Sequence, residues 1–169
     1  MAATVLFINR NDLVKNTIID GNVQAEKLMH FIKIAQEIHI QNFLGTKLYD
    51  KITLLINTDA IGGTVYETLL IEYVQPMLIH YAMMDFLPFA AYTVKNGGIF
   101  RHISENAESV EKNEVDYLVE KERNLAEYYT RRFIQFMDFN QNSYPEYTSN
   151  TNNDIYPDRD EPTFQGWVL

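Results

Sequence analysis

The side chains of this 169-residue chain that could ligate a metal or move a proton are scattered rather than gathered. There are four histidines, His30, His39, His80 and His102. A chelating pair on one helix needs i, i+4 spacing and a third ligand, whereas His30 and His39 stand nine residues apart. His80 precedes Asp85 by five residues, which turns the two to different faces of a helix. Each histidine therefore reads as a packing or interface residue. Glu120 and Glu122 are a carboxylate pair by proximity only, since a two-residue step on a helix points them apart. Gly62-Gly63 and Gly97-Gly98 lack the glycine spacing and the lysine of a phosphate loop. No strand-turn-helix nucleophile elbow is present. With no cysteine, disulfides, thiolate metal sites and cysteine catalysis are excluded together. The residues predict no enzyme, no metal and no cofactor.

The elements that hold these side chains are helical by pattern. In NVQAEKLMHFIKIAQEIHIQNFLGTKLY, residues 22–49, Leu28, Phe31, Ile32, Ala35 and Ile38 recur at three- and four-residue steps, as one apolar stripe does. Asn22 is the expected N-cap. Gly45 is expected to take a positive φ and close the helix. Thr46 then starts a second helix bearing Leu48, Ile52 and Leu55. Before all this, Thr4–Ile8 is a short β-prone run that stops at Asn9–Asp12, which predicts an extended N-terminal arm.

After a loop at Asn57–Gly63, Thr64 is expected to cap a third helical stretch that reaches Val94 and is apolar nearly all round. Pro76 removes a backbone donor inside it and predicts a kink or brief break near Val74–Pro76; Pro88 marks a second weak point. Asn96-Gly97-Gly98 ends the stretch, and Ile99–Ser104 reads as a short strand or a β-ribbon. Asn113 is the expected cap of the last long helix, with Val115, Leu118, Glu122, Leu125, Tyr129, Arg132 and Phe136 on its stripe and Phe133 and Met137 widening it. No internal repeat is evident. The expected fold class is all-α: a bundle of about four helices with a kinked central helix. Residues 1–139 form the helical domain with its N-terminal arm, and residues 140–169 form a long C-terminal arm.

That arm is rich in Asn and Pro and has no helical period. Its aromatics, Tyr144, Tyr147, Tyr156, Phe164 and Trp167, are spaced like the anchors of a strap laid across another protein. The net charge is −9, with −4 between Glu105 and Arg123 and another −4 between Asn140 and Leu169. Such a chain is poorly suited to gripping phosphates, because nucleic-acid affinity rests on clustered Lys and Arg. Most of the acids read as solvated helix faces. No apolar run is long enough to span a membrane, and the first residues lack the basic start and cleavage site of a signal peptide.

The succession of Ala35-Gln36, Leu44-Gly45 and Leu48-Tyr49, followed by a kinked aromatic helix, resembles the head–tail connector (head-completion, adaptor or ring) proteins of tailed bacteriophages. The version in crAss-like and other Bacteroidota phages is the most similar. The resemblance covers Leu6 to Tyr147. It implies a structural virion protein made in the bacterial cytoplasm. It implies a closed homo-oligomeric ring of twelve copies under the portal, touching the portal and other connector or tail proteins, with DNA passing through its lumen without sequence-specific binding.

On that reading Arg131 and Arg132 pair with acids of a neighbouring subunit, and the arm's aromatics lock copies together. The segment Gly97, Gly98, Arg101, Glu105 and Glu108 faces the channel. The alternative is an acidic helical regulator that binds a basic partner protein.

Overall fold

The computed structural model describes residues 5–20, 23–90, 92–95, 98–101 and 112–160, with backbone alone for 93–95 and 98–101. The fold is all-α, with one two-stranded hairpin. At its centre lies α5 (Gln75–Phe86), which buries Met77, Leu78, Ile79, Tyr81, Ala82, Met83 and Phe86 and so has almost no solvent face. It is packed between α2 (Ala25–Ala35) and α6 (Lys112–Asn140). A helix that is apolar all round has to be covered on both sides, and the two amphipathic helices do this.

Helix α2 does not run evenly to the glycine. A π-helical turn, Gln36–Ile40, joins it to α3 (Gln41–Asn57). The extra residue of a π turn rotates everything after it by about 100° relative to an uninterrupted α-helix. The buried stripe is therefore Leu28, Ile32, Ala35, Gln36, Ile40, Leu44, Leu48 and Ile52. Ile38, expected on the stripe, is 54% exposed for this reason. The N-cap is Gln24, without a side-chain cap bond, and not Asn22, which lies outside the described residues. Gly45 has φ 73° and ψ 165°, the predicted positive φ, and splits α3 into two unequal segments.

A second π turn, Leu70–Val74, joins α4 (Val65–Leu69) to α5, with the Gln75 N–H bonded to the Leu70 carbonyl. Pro76 sits in the first turn of α5. The expected break near Val74–Pro76 thus takes the form of a wider turn ahead of a residue that can neither donate nor tolerate a tight preceding turn. Thr64 occupies the N-cap position, yet its hydroxyl donates to the Ile61 carbonyl rather than capping.

At Pro88 the helix tightens into a 3₁₀ turn, Leu87–Phe89, and ends. The helical expectation through Val94 is corrected here: β1 (Tyr92–Lys95) pairs antiparallel with β2 (Gly98–Arg101), in register Tyr92↔Arg101 through Lys95↔Gly98. β-branched Thr93 and Val94, and the Asn-Gly pair between the strands, were the local signals for a hairpin.

Helix α6 buries Ala126, Thr130, Phe133, Ile134 and Met137. The expected stripe was set one residue off, so that Leu125 and Arg132 are exposed and the residues thought to widen it are its centre. Small Ala126 and Thr130 were passed over as core, although small side chains let α5 approach closely. Asn113 lies inside the first turn rather than capping it.

The N-terminal arm has no regular structure over residues 5–9 and bends at Phe7-Ile8. Asn9 caps a short helix, α1 (Arg10–Asn16), through a capping box: its side chain accepts from the Asp12 N–H while Asp12 accepts from the Asn9 N–H. The Asn9–Asp12 segment expected to end the arm therefore starts a helix. The arm is held by two glutamines from the neighbourhood of the π turns. Fully buried Gln36 accepts from the Phe7 N–H (2.8 Å) and donates to the Val5 carbonyl (2.8 Å) and Tyr49 Oη (2.9 Å); Gln75 donates to the Phe7 carbonyl (2.8 Å). A partly buried segment outside any helix or sheet needs such side-chain partners for its backbone groups.

The domain does not end at residue 139. A 3₁₀ turn, Gln141–Ser143, leads to α7 (Pro145–Thr148), and Tyr144 and Tyr147 are core residues at 2% and 1% exposure. Replacing Gln36 by Leu strips the partners from the Phe7 N–H and Val5 carbonyl, which predicts a loss of about 3 kcal/mol at about 1–3 kcal/mol per orphaned buried group. Chemical denaturation measures the loss, and amide exchange should show the Phe7 N–H deprotected first.

Candidate assembly surfaces

A helix broken at a glycine leaves carbonyls without partners on one side and N–H groups without partners on the other. At Gly45 the C-terminal segment supplies them. Asp158 donates its N–H to the Asn42 carbonyl (2.8 Å). Thr46 donates its N–H to the Ile155 carbonyl (3.0 Å), and its hydroxyl accepts the Ile155 N–H (2.8 Å). Asn150 Oδ1 accepts the Lys47 N–H (3.1 Å), so Asn150 acts as a helix cap from a hundred residues away in sequence. Its amide nitrogen donates back to the Glu146 and Tyr147 carbonyls.

Lys47 completes the clamp by donating to the Ser149 carbonyl and standing 4.0 Å from Asp154. Hydrogen bonds from Thr151 hold the Asp154 carboxyl below its usual range. Nothing larger than hydrogen fits at position 45: a Cβ there would lie 2.8 Å from the ring carbons of Pro157 and 3.0 Å from Asn150 Nδ2.

The structure therefore lays residues 141–158 on their own subunit, and of the expected inter-subunit anchors Tyr144 and Tyr147 are intramolecular. Tyr144 donates to the Val65 carbonyl (3.0 Å) and packs edge-on to Tyr66. Tyr147 packs against Phe133, with the Arg159 guanidinium 4.9 Å over its ring. Tyr156 stays exposed; Phe164 and Trp167 lie outside the described residues. Arg132 is exposed and lies over the rings of Tyr73 (5.4 Å) and Tyr129 (6.0 Å), and Arg131 is half-buried beside it. Of the segment expected to face a channel, Gly98 and Arg101 are the first and last residues of β2, while Gly97, Glu105 and Glu108 lie outside the described residues.

Two histidines stand against carboxylates of neighbouring elements. His80 Nδ1 is 2.7 Å from Glu122 Oε2 and its ring stacks on Tyr129. His39 Nε2 stands 3.3 Å from Asp85 Oδ2 and stacks on Tyr81 at 4.1 Å. The second is an ion-pair contact rather than an aligned hydrogen bond. Each pair pins one helix to its neighbour, and neither has a third polar group converging on it. Sequence spacing could not show them, because the partners come from different helices. Among the described residues no group of three or more His, Asp or Glu could hold a metal, and no helix is long and apolar enough to cross a membrane. An open groove of about 730 Å³ lies between the start of α2 and the end of α5, walled by Ile18, Val23, Phe31, Phe86 and Phe89. Its lining is mostly apolar, with Asp20, Gln24 and Lys27 also on it.

These features define an all-α fold in which the C-terminal segment closes the break at Gly45. Residues 40–157 match the model of a family of unknown function, DUF6712, and the chain belongs to that family. The matched span takes in both sides of the clamp, from the turn before Asn42 to Pro157. No curated protein and no solved structure matches the chain.

Two measurements check the clamp. Gly45→Ala combines a left-handed φ, costly by about 1–2 kcal/mol, with a clash of about 1–3 kcal/mol. Pro157→Ala in the same chain should return the second part, a coupling visible in a double-mutant cycle of urea midpoints. The second measurement is alkaline titration. Burial, before any other cause, raises the pKa of Tyr49, Tyr66, Tyr81 and Tyr144 and pushes Tyr147 up to about 12, against the pull of Arg159. For Tyr66, the Glu146 carboxylate that accepts its hydroxyl at 2.7 Å adds to the rise. A folded pKa above the unfolded value of about 10 means that the stabilisation is complete below that pH and is lost as pH rises through the folded values. Tyrosinate absorbance should therefore show these five of the eleven tyrosines ionising together with unfolding.

Proposed function

We propose that this chain is a structural subunit of a phage head–tail connector: a ring of twelve copies under the portal that completes the head and forms part of the DNA channel. The observation that carries this reading is the pairing of an all-α fold with large apolar side chains left in solvent, among them Ile18, Ile38, Leu54, Ile71, Phe89, Tyr128 and Phe139. A subunit destined for assembly can bury such side chains against its neighbours. The resemblance over Leu6–Tyr147 points the same way, and its Leu44-Gly45 motif falls on the clamp that holds the subunit together. Arg131 and Arg132 are accessible for acids of a neighbouring copy. An acidic chain suits a channel through which DNA slides without adhering. The ring's place is the virion, with assembly in the host cytoplasm.

The net charge of −9 favours a second reading, an acidic regulator that occupies a basic partner protein. Cryo-electron microscopy of the intact particle, or of the chain mixed with its cognate portal, separates the two. The connector reading predicts a twelvefold ring stacked on the portal with this fold in each unit. Absence from the particle, with tight binding to a basic protein instead, would establish the regulator.

A further inference from the structure

Helix α6 carries a second periodicity that its core does not use. Tyr117, Tyr128 and Phe139 are spaced by eleven residues; so are the acids immediately before them, Asp116, Glu127 and Asp138, and the cations Lys121 and Arg132. Eleven residues make three turns plus about 20°, so equivalent side chains stack on one face about 16 Å apart. That face is opposite the buried one: the three aromatics are 58%, 50% and 88% exposed, whereas the buried residues Ala126, Phe133 and Met137 lie about 160–200° around the helix from Tyr117. Intramolecular packing explains a period on the inside of a helix. It does not explain one in exposed aromatic and charged residues.

The flanks of the face differ in sign. On one side run Asp116, Glu120, Glu127 and Asp138, an excess of acid over Arg123 and Arg131; on the other run Lys121 and Arg132, an excess of cation over Glu114. Lys121 leans over the Tyr117 ring at 5.1 Å, on the aromatic seam, whereas Arg132, exposed on the same flank, lies over Tyr73 at 5.4 Å and Tyr129 at 6.0 Å. Two antiparallel copies of this helix, seam to seam, would set acid flank against acid flank. Two parallel copies related by rotation about an axis along the helix set each acid flank against the neighbour's cation flank. Each unit's cation follows its acid by five residues, an offset that long side chains bridge between parallel helices.

We propose that this outer face of α6 is a self-association surface, and that its occupant is α6 of a second copy running parallel, with Tyr117, Tyr128 and Phe139 packed between the helices and Asp116 and Glu127 facing the partner's Lys121 and Arg132. Contact between the same face of two copies is isologous and closes at two, so this inference goes beyond the ring reading above and does not rest on it.

The absence of cysteine makes the test direct. Single-cysteine chains Tyr117→Cys and Phe139→Cys, and Leu54→Cys on exposed α3 as control, are cross-linked at high protein concentration with a short bismaleimide. The parallel seam predicts covalent dimers from 117 to 117 and from 139 to 139, and none above control from a mixture that joins 117 to 139. Efficient 117-to-139 products, or dimers no more abundant than at position 54, would overturn it.

Charge reversal supplies the second arm, read by sedimentation velocity. Lys121→Glu with Arg132→Glu should abolish self-association, as should Asp116→Lys with Glu127→Lys, and mixing the two variants should restore it. Circular dichroism checks that each remains folded. If both variants associate like the parent, the seam is wrong although a ring joined elsewhere stands. If the cross-links form as expected but the chain is absent from particles, the seam stands and the connector reading falls.

Discussion

The positive φ at Gly45 is the constraint from which the rest of this fold follows. A chain that turns there opens its helical ladder on both sides, and buried backbone groups without partners are too costly to leave so. The segment from Asn150 to Asp158 closes the gap, matching the Asn42 carbonyl and the Thr46 and Lys47 N–H groups one for one. Because the segment must pass directly over the glycine, side-chain volume at position 45 is forbidden twice, by φ and by Pro157. Because it must be anchored before it arrives, Tyr144 and Tyr147 are driven into the core. The last part of the chain thus determines whether the first long helix can bend.

Both π turns serve the same geometry. Each adds a residue to a helix, and each brings a glutamine from itself or its edge onto the N-terminal arm. The arm is held by side chains where a sheet would use a neighbouring strand. The contacts of the tail with Gly45 and of the arm with Gln36 are therefore polar and specific, while those of α5 with α2 and α6 are mainly apolar, with the His80–Glu122 pair as a polar contact between α5 and α6. Cores tolerate exchange of similar volumes better than such networks tolerate loss of one member.

Much of the architecture was legible in the residues. Helical period, the break at Gly45, the disturbance at Pro76 and the weakness at Pro88 all follow from local chemistry that acts within one turn. What was not legible depends on partners distant in sequence. The π turn at Gln36 cannot be seen in a stripe that reads equally well as uninterrupted helix, so Ile38 was placed inside. The Asn- and Pro-rich composition after residue 139 argues for a free arm, because composition does not reveal that Asn150 has a helix end waiting for it. The His80–Glu122 and His39–Asp85 pairs arise only when helices meet. The eleven-residue recurrence on α6 was visible in sequence but hidden beneath the stronger core period.

The central claim is that the C-terminal segment, and not solvent, satisfies the backbone at the break. Native-state hydrogen exchange at the Thr46 and Lys47 amides tests it most directly. Exposed N–H groups at the start of a helix exchange through local fraying, whereas groups bonded to a docked segment exchange only when it leaves. The account predicts that both amides, together with Ile155 and Asp158, are protected to one common free energy close to that of global unfolding. Rapid exchange at Thr46 and Lys47, with the α5 amides still protected, would contradict it.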